Sequence, residues 1–361
     1  MGSRHMVLVA TLLAVGGDGV AGAEAQPQAR RQMTTAATSL PIEGEFPPLS
    51  GAVGWLNSSP LTPEGLRGKV VLVDIWTYTC VNWLRTLPYV RAWAKRYGPQ
   101  GLVVIGVHSP EFPFEHQLEN VRWAASALRV DYPIAIDNDF LVWRAFENEV
   151  WPALYLIDSQ GRIRHHQFGE GGYQETERAI QGLLQEAGKG TAGGDLTPVK
   201  PQGLEVPADW DNVDSPETYV GYAQAQGFAS PGGPQRNASA RYEIPSRLGL
   251  NHWGLSGDWT LRAQGAALGR GPGRIAYRFH ARDLNLVLGP APGKDSVGFR
   301  VLIDGKPPGA AHGVDVDEKG HGTVTRQRTY QLIRQPAPIV DRVFQIEFED
   351  GGVEAYDFTF G

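Results

Sequence analysis

One cysteine, Cys80, is present in the 361 residues, and it stands where an apolar run gives way to a predicted helix. The β-branched run at 71–76 predicts a buried strand, and the apolar spacing of Leu84, Leu87 and Val90 predicts a helix. Cys80 therefore falls in the first turn, where unpaired backbone N–H groups and the positive end of the helix dipole stabilise a thiolate. This position predicts a nucleophile.

The residues around Cys80 resemble a known family. Asp74, Trp76 and a cysteine six residues after the aspartate resemble the active-site strand and helix of thioredoxin-like proteins. The sequence Trp-Thr-Tyr-Thr-Cys at 76–80, with Leu-Arg-Thr-Leu-Pro-Tyr at 84–89, is closer still to the thioredoxin-like part of DipZ-type proteins. The resemblance implies thiol–disulfide oxidoreductase activity centred on Cys80.

This sequence departs from the family at the second cysteine of Cys-x-x-Cys, where it has Trp83. In that motif the second thiol resolves the mixed disulfide formed by the first, and Cys80 has no such partner in this chain. Two interpretations stay open: Trp83 lies one helical turn from Cys80 and screens its sulfur, or the substitution marks a loss of function or a sequence error. Asp74, which moves the resolving proton in the family, is then either an acid–base group or a structural one.

The resemblance also assigns roles to residues beyond the cysteine. It implies a catalytic role for Pro152, as the cis-proline beside the active-site cysteine, together with Cys80 and Asp74. It further implies contacts with the substrate from Trp76, Tyr78, Thr79, Trp83 and Trp151, although Trp76 could equally be a core residue.

The amino terminus predicts export. Residues 1–25 carry Arg4 and His5 before a modest apolar run and end with a small-x-small cleavage pattern, which predicts a secretory signal peptide. The alternative is a cloning remnant followed by a disordered leader. We therefore expect a periplasmic or secreted protein. A single cysteine excludes an intramolecular disulfide, so Cys80 is a free reactive thiol, a partner in an intermolecular disulfide or a buried, inert residue.

Changes in composition along the chain predict its domains. We expect a flexible tether at 26–43, an α/β thioredoxin fold at 44–187 and a Gly-, Thr- and Pro-rich linker at 188–213. Short alternating strands without helices then predict an all-β jelly-roll or β-sandwich domain at 214–361. This last segment resembles the carboxy-terminal domain of DipZ-type proteins, which is likened to carbohydrate-binding modules.

Within the thioredoxin-like part, further elements follow from apolar spacing. We expect a second strand, parallel to the first, at residues 102–107. Helices are predicted at 114–128 and 139–148, and the closing helix of the fold at 173–186. The prolines and aromatic residues at 46–60 predict a β-hairpin.

Several other functions are not supported. A net charge of −6 gives no basic patch for nucleic acid. The acidic loop at 315–326 ends in arginine where a calcium loop needs glutamate, and adjacent His165 and His166 point to opposite sides of a strand. We therefore predict no metal and no cofactor. The aromatic residues of the second domain form either a sugar-binding platform or its core.

Together these features predict a thioredoxin-like protein in which Cys80 attacks a protein disulfide and an external thiol completes the exchange. The expected partners are a protein disulfide or thiol, with a CcdA-like membrane reductant and a glycan at the β-sandwich as further candidates. Two alternatives stay open: a one-cysteine thiol peroxidase, and a redox-inactive binding or adaptor protein that uses the β-sandwich.

Overall fold

The computed structural model describes residues 40–190 and 194–361. The predicted signal peptide and most of the predicted tether lie outside these residues. The strands of the first half are β1 (Gly44–Glu45), β2 (Gly54–Leu56), β3 (Val70–Trp76), β4 (Leu102–His108), β5 (Ile134–Ile136), β6 (Ala153–Ile157) and β7 (Arg162–Phe168). The helices are α1 (Val81–Tyr97), α2 (Leu118–Ala127), α3 (Leu141–Ala145) and α4 (Tyr173–Glu186).

These strands form one sheet in the order β1-β7-β6-β3-β4-β5-β2. Strands β3, β4 and β5 are parallel neighbours, whereas β6 pairs antiparallel with β3 and β7 pairs antiparallel with β6. The predicted crossover from β3 through α1 to a parallel β4 is confirmed, as is the closing helix. This is a thioredoxin fold, and it brings the end of β3 and the start of α1 to one edge of the sheet.

Strand β3 is buried along its whole length, and its side chains alternate between two apolar layers. Val71, Val73 and Ile75 pack on one face of the sheet. Leu72 and Trp76 pack on the other face with side chains from α1 and α4. By the same alternation the side chain of Asp74 points to the face that carries Leu72 and Trp76. A carboxyl group therefore enters the apolar layer beneath α1.

The described residues from 194 to 361 contain strands and short 3-10 turns. The strands are β8 (Thr218–Tyr219), β9 (Ser239–Tyr242), β10 (Trp253–Leu261), β11 (Ala266–Leu268), β12 (Gly273–Phe279), β13 (Asp283–Pro290), β14 (Val297–Ile303), β15 (His321–Val324), β16 (Arg328–Arg334), β17 (Arg342–Phe348) and β18 (Val353–Phe360). All neighbours pair antiparallel, in the order β15-β14-β17-β12-β10-β11-β18-β13-β16, with β8 on β18 and β9 on β10. The predicted all-β domain of β-sandwich type is confirmed.

Strand β10 connects the two layers of the sandwich. Its first half pairs with β12, and its second half pairs with β11. Gly257 lies between the two halves with φ +102°, a conformation that favours glycine. The aromatic residues considered for a sugar platform are instead core residues: Trp253, Trp259, Tyr277, Phe279 and Phe299 are all buried.

Two expectations about connecting segments need correction. Residues 46–60 do not form a hairpin, because β1 pairs with β7 and β2 pairs with β5 at opposite edges of the sheet. Residues 40–43, inside the predicted tether, are fixed to β7 by Arg164, whose guanidinium donates to the carbonyls of Leu40 and Pro41. The domain boundaries themselves stay a prediction.

A glycine substitution tests the bend in β10. A Cβ added at Gly257 would lie 2.6 Å from the Pro272 carbonyl oxygen, a backbone atom that cannot rotate away. We expect Gly257→Ala to lower the free energy of unfolding by about 1–3 kcal/mol, because strain at positive φ adds to this clash.

The matched control is Gly298→Ala in β14, where an added Cβ has no neighbour within 4 Å among the described residues. Urea unfolding followed by tryptophan fluorescence measures both variants. Equal stability of the two variants would contradict the role given to Gly257.

Candidate active site

Cys80 caps the amino terminus of α1 with an extended backbone, and its side chain is half-buried. The backbone N–H groups of Trp83 and Asn82 act on the sulfur and lower its pKa, as the sequence predicts. Burial raises the pKa more strongly, and the carboxyl groups of Glu111 and Glu217 raise it further, so the net pKa lies well above the usual value for a thiol. The expectation that the helix end stabilises a thiolate is therefore wrong. In this arrangement Cys80 is a protonated thiol at neutral pH.

Trp83 lies beneath Asp74. Its indole is fully buried and donates a hydrogen bond to Asp74 Oδ2 at 3.1 Å. Tyr132 donates to the same oxygen at 3.0 Å, and the Trp76 ring stacks on Trp83 at 4.1 Å. Burial raises the pKa of Asp74 to about 7, although these two donors oppose the shift. Both donors bind Oδ2, and Asp74 Oδ1 has no hydrogen-bond partner among the described residues.

Thr79 is held by a buried carboxylate. Glu115 Oε1 accepts from the Thr79 backbone N–H at 3.2 Å and from its hydroxyl at 2.7 Å. Glu115 Oε2 accepts from the backbone N–H groups of Glu111 and Phe112. One carboxylate thus fixes the residue before Cys80 to the loop that follows β4.

Tyr78 and His108 are buried side by side, with their rings stacked at 5.8 Å. Burial lowers the pKa of His108 to about 3, so the imidazole is neutral. Neither of its ring nitrogens, nor the Tyr78 hydroxyl, has a hydrogen-bond partner among the described residues. Burial also raises the pKa of Tyr78, so the phenol stays protonated.

The Trp151–Pro152 peptide bond is cis, as the resemblance implies. The pairing of Ala153 with Ile75 continues the register so that Pro152 lies opposite Trp76, at the sheet edge from which Cys80 leaves. Trp151 is half-buried, and its indole donates to the Ser109 carbonyl at 3.1 Å.

Most residues expected at the substrate surface are buried. Trp76, Tyr78, Thr79 and Trp83 are each no more than 3% exposed, which corrects their expected surface position. Of the five predicted contacts, Trp151 is the one with a half-buried side chain. The roles of all five residues towards a substrate stay predictions.

The β-sandwich covers this face of the thioredoxin fold. Thr329 donates to the Thr79 carbonyl at 2.5 Å, and Tyr219 donates to Glu111 Oε1 at 2.5 Å. The Tyr356 ring packs edge-on against Phe114 at 4.8 Å. These contacts explain why the residues next to Cys80 are buried.

Arg85 fixes a further contact between the two parts. Its side chain is buried in α1, where it pairs with Glu170 at 2.9 Å and donates to the Phe360 carbonyl at 3.2 Å. A buried arginine requires such partners, because an unpaired charge in the interior is costly.

Sequence reasoning missed several of these residues, among them Glu111, Glu115, Tyr132 and Tyr219. A signal was available for the two glutamates, which follow the end of β4 four residues apart, at the sheet edge where Cys80 was already placed. Tyr219 carries no local signal, because its contact depends on how the second domain packs. Among the described residues, no group of three His, Cys, Asp or Glu side chains forms a metal site.

The match to known families covers both halves of the chain. Residues 56–166 match the AhpC/TSA family, and residues 215–361 match a family described as thioredoxin like C-terminal domain. A solved thioredoxin-like protein in the oxidised form is 31% identical and aligns with 40% of this chain and 96% of its own, with a TM-score of 0.37.

Two relatives of this chain are a protein named DipZ and a protein named thiol-disulfide oxidoreductase YkuV. Protein DipZ of Mycobacterium tuberculosis (strain CDC 1551 / Oshkosh) is 38% identical over 282 residues, which are 75% of this chain and 38% of DipZ. Thiol-disulfide oxidoreductase YkuV of Bacillus subtilis (strain 168) is 30% identical over 147 residues, which are 41% of this chain and 99% of YkuV. The chain thus spans well under half the length of DipZ and nearly all of YkuV. It belongs to the thioredoxin-like family of thiol–disulfide oxidoreductases and is similar to its DipZ type.

Proposed function

We propose that this chain carries out thiol–disulfide exchange with a single cysteine. The observation that carries the proposal is the position of Trp83, whose buried indole fills the place of the second cysteine and bonds Asp74. Cys80 is the one cysteine of the sequence, so no thiol of the same chain can resolve a mixed disulfide.

The reaction then has three steps. The Cys80 thiolate attacks one sulfur of a partner's disulfide, forming a Cys80 mixed disulfide and releasing the other sulfur as a thiolate. An external thiolate next attacks the partner's sulfur in the mixed disulfide, which releases Cys80 and leaves the external sulfur bonded to the partner. A second external thiolate attacks the external sulfur of this disulfide and releases the partner's second thiolate. The partner's disulfide is then reduced to two thiols, two external thiols are oxidised to one disulfide, and Cys80 returns unchanged.

Asp74 acts in this scheme as a positioning residue. Because its Oδ2 is bonded by Trp83 and Tyr132, the carboxyl group holds the indole beneath the first turn of α1. The Trp83 backbone N–H is one of the two groups that favour the Cys80 thiolate. Asp74 therefore influences the nucleophile through the residue that replaced the resolving thiol.

A second candidate function is that of a redox-inactive binding or adaptor protein. The raised pKa of Cys80 favours it, because a protonated, half-buried thiol is a weak nucleophile at neutral pH. The β-sandwich would then carry the binding function.

We further propose that the protein acts in the periplasm or outside the cell. The predicted signal peptide supports this location. Within the described residues, no helix is both long and apolar enough to cross a membrane. A protein disulfide is the proposed substrate, and a CcdA-like reductant and a glycan are further proposed partners.

Alkylation of Cys80 separates the two functions. We expect the iodoacetamide rate of the folded protein to keep rising with pH beyond about 8.5, the ordinary thiol pKa, because the buried thiol loses its proton only above that value. Glu111→Gln should move the midpoint back toward 8.5, since it removes a negative charge near the sulfur.

The urea-unfolded chain is the reference, in which Cys80 titrates normally. A folded protein whose alkylation rate follows the unfolded curve, or that reacts faster at neutral pH, would contradict the raised pKa. A folded protein that reacts at no pH would favour the adaptor.

Restoring the missing cysteine tests the exchange function. We expect Trp83→Cys to reduce insulin disulfides in the presence of dithiothreitol about tenfold faster than the native chain, because an intramolecular thiol resolves the mixed disulfide. The variant should also lose about 3–5 kcal/mol of stability, since a fully buried indole is removed.

Trp83→Ser is the matched control, because it leaves a similar cavity without a thiol. It should lose as much stability and gain no turnover. Equal rates in the two folded variants would show that the new thiol does not act as a resolver.

A further inference from the structure

A groove of about 700 Å³ lies at the start of β4, away from the active-site edge of the sheet. Its floor is formed by the first three residues of β4, 102–104. Arg91, Ala94 and Lys95 of α1 form one wall, and the segment 129–133 before β5 forms the other. At about 3.3 Å per strand residue, the groove lies about 20 Å from the end of β4 that reaches the active site. It is therefore a separate surface.

The backbone of β4 is unpaired along this groove. Ser109 N–H donates to the Trp76 carbonyl, and in a parallel ladder every second residue turns its backbone groups to the same neighbour. The odd-numbered residues of β4 therefore bond to β3. Leu102 and Val104 turn their N–H and C=O groups to the opposite side, where no described residue bonds to them.

The sequence before β5 explains why the sheet stops there. Gly106 N–H donates to the Pro133 carbonyl at 2.8 Å, and the next bond toward the start of β4 would need an N–H from residue 133. Proline has none. The carbonyls of Val130 and Tyr132 accept instead from the Asn57 side chain, at 2.9 and 3.0 Å. The start of β4 is thus an open sheet edge with backbone groups available for another strand.

The groove also collects positive charge on a chain whose net charge is −6. Three cations and one anion line it, namely Arg91, Lys95, Arg129 and Asp131. Arg91 is paired with Glu205, whereas Lys95 and Arg129 are exposed and form no ion pair with any described residue. An adjoining depression shares Arg91 and Arg129 and adds the exposed Lys200. Unpaired cations therefore surround the open edge.

We propose that this groove binds an extended, acidic segment of a partner protein, which adds to β4 as a short strand. An extended backbone satisfies the unpaired N–H and C=O groups of a sheet edge, and carboxylates complement the free cations. The predicted tether of the same chain does not fit, because residues 26–39 contain Arg30 and Arg31 and no acidic residue. No step of this binding involves Cys80, so the inference is independent of the proposed exchange function.

The probe is the acetylated and amidated pentapeptide Val-Glu-Val-Glu-Val, whose two carboxylates lie on one face when it is extended. Chemical-shift titration of the isotope-labelled full chain by NMR at low salt measures its dissociation constant. The first control peptide has every backbone N–H methylated, which keeps the charge and removes the donors. The second has lysine in place of glutamate. We expect both controls to bind at least about tenfold more weakly, and added salt to weaken the acidic probe.

A double variant tests the cations. Lys95→Gln with Arg129→Gln should raise the dissociation constant of the acidic probe about tenfold, because two unpaired charges are removed from exposed positions. The matched control is Arg270→Gln with Lys306→Gln, which removes the same charges from exposed positions of the sandwich outside the groove. Its dissociation constant should equal that of the native chain. Equal affinities of the two double variants would overturn the inference.

Amide hydrogen exchange tests the strand addition itself. The N–H groups of Leu102 and Val104 should exchange more slowly when the probe is bound, because they then donate to its carbonyls. Unchanged exchange at these amides, or equal binding of the methylated peptide, would show charge attraction without strand addition and would overturn the inference. Self-association of the native chain that the probe displaces would assign the groove to a second copy and would overturn it as well.

Discussion

The hydrogen bond from the Trp83 indole to Asp74 is the interaction on which the active site depends. A carboxyl group with no exposure is costly unless donors meet it, and here two side chains converge on one of its oxygens. The same tryptophan offers its backbone N–H to Cys80 and its ring to Trp76. One residue therefore links the buried acid, the stacked core and the nucleophile, so a replacement at this position changes all three.

The charge state of Cys80 follows from a competition between two effects of different size. A helix amino terminus contributes about 0.3–1 kcal/mol to a nearby anion, which is less than one pKa unit. Burial shifts the pKa of an ionisable group by as much as about 3–5 units when it is complete, so even the half-burial of Cys80 can exceed the effect of the helix end. Burial therefore dominates, and Glu111 and Glu217 add to it. The sequence shows the helix end, but it does not show the β-sandwich that covers the residues around Cys80.

Features that depend on local sequence could be predicted, whereas features that depend on packing between distant segments could not. Strand β3, helix α4 and the cis bond at Pro152 were predictable because local apolar spacing and the family motif specify them. The partners of residues 46–60 and the Tyr219–Glu111 contact were not predictable, because they join segments distant in the chain. Local patterns specify elements, whereas burial, and with it every pKa near Cys80, depends on contacts between them.

The β-sandwich covers the active-site face, and this restricts how reactants reach Cys80 in a one-cysteine exchange. In a Cys-x-x-Cys protein the second thiol is already inside, so only the disulfide partner must enter. Here the resolving thiol must come from solvent, and the contacts of Thr329 with Thr79 and of Tyr219 with Glu111 close neighbouring sides of the site. Both reactants must therefore approach the half-buried sulfur of Cys80 over the same partly covered face. Turnover then depends on the access of two reactants to one sulfur, whereas a second thiol inside the chain would leave only one reactant to enter.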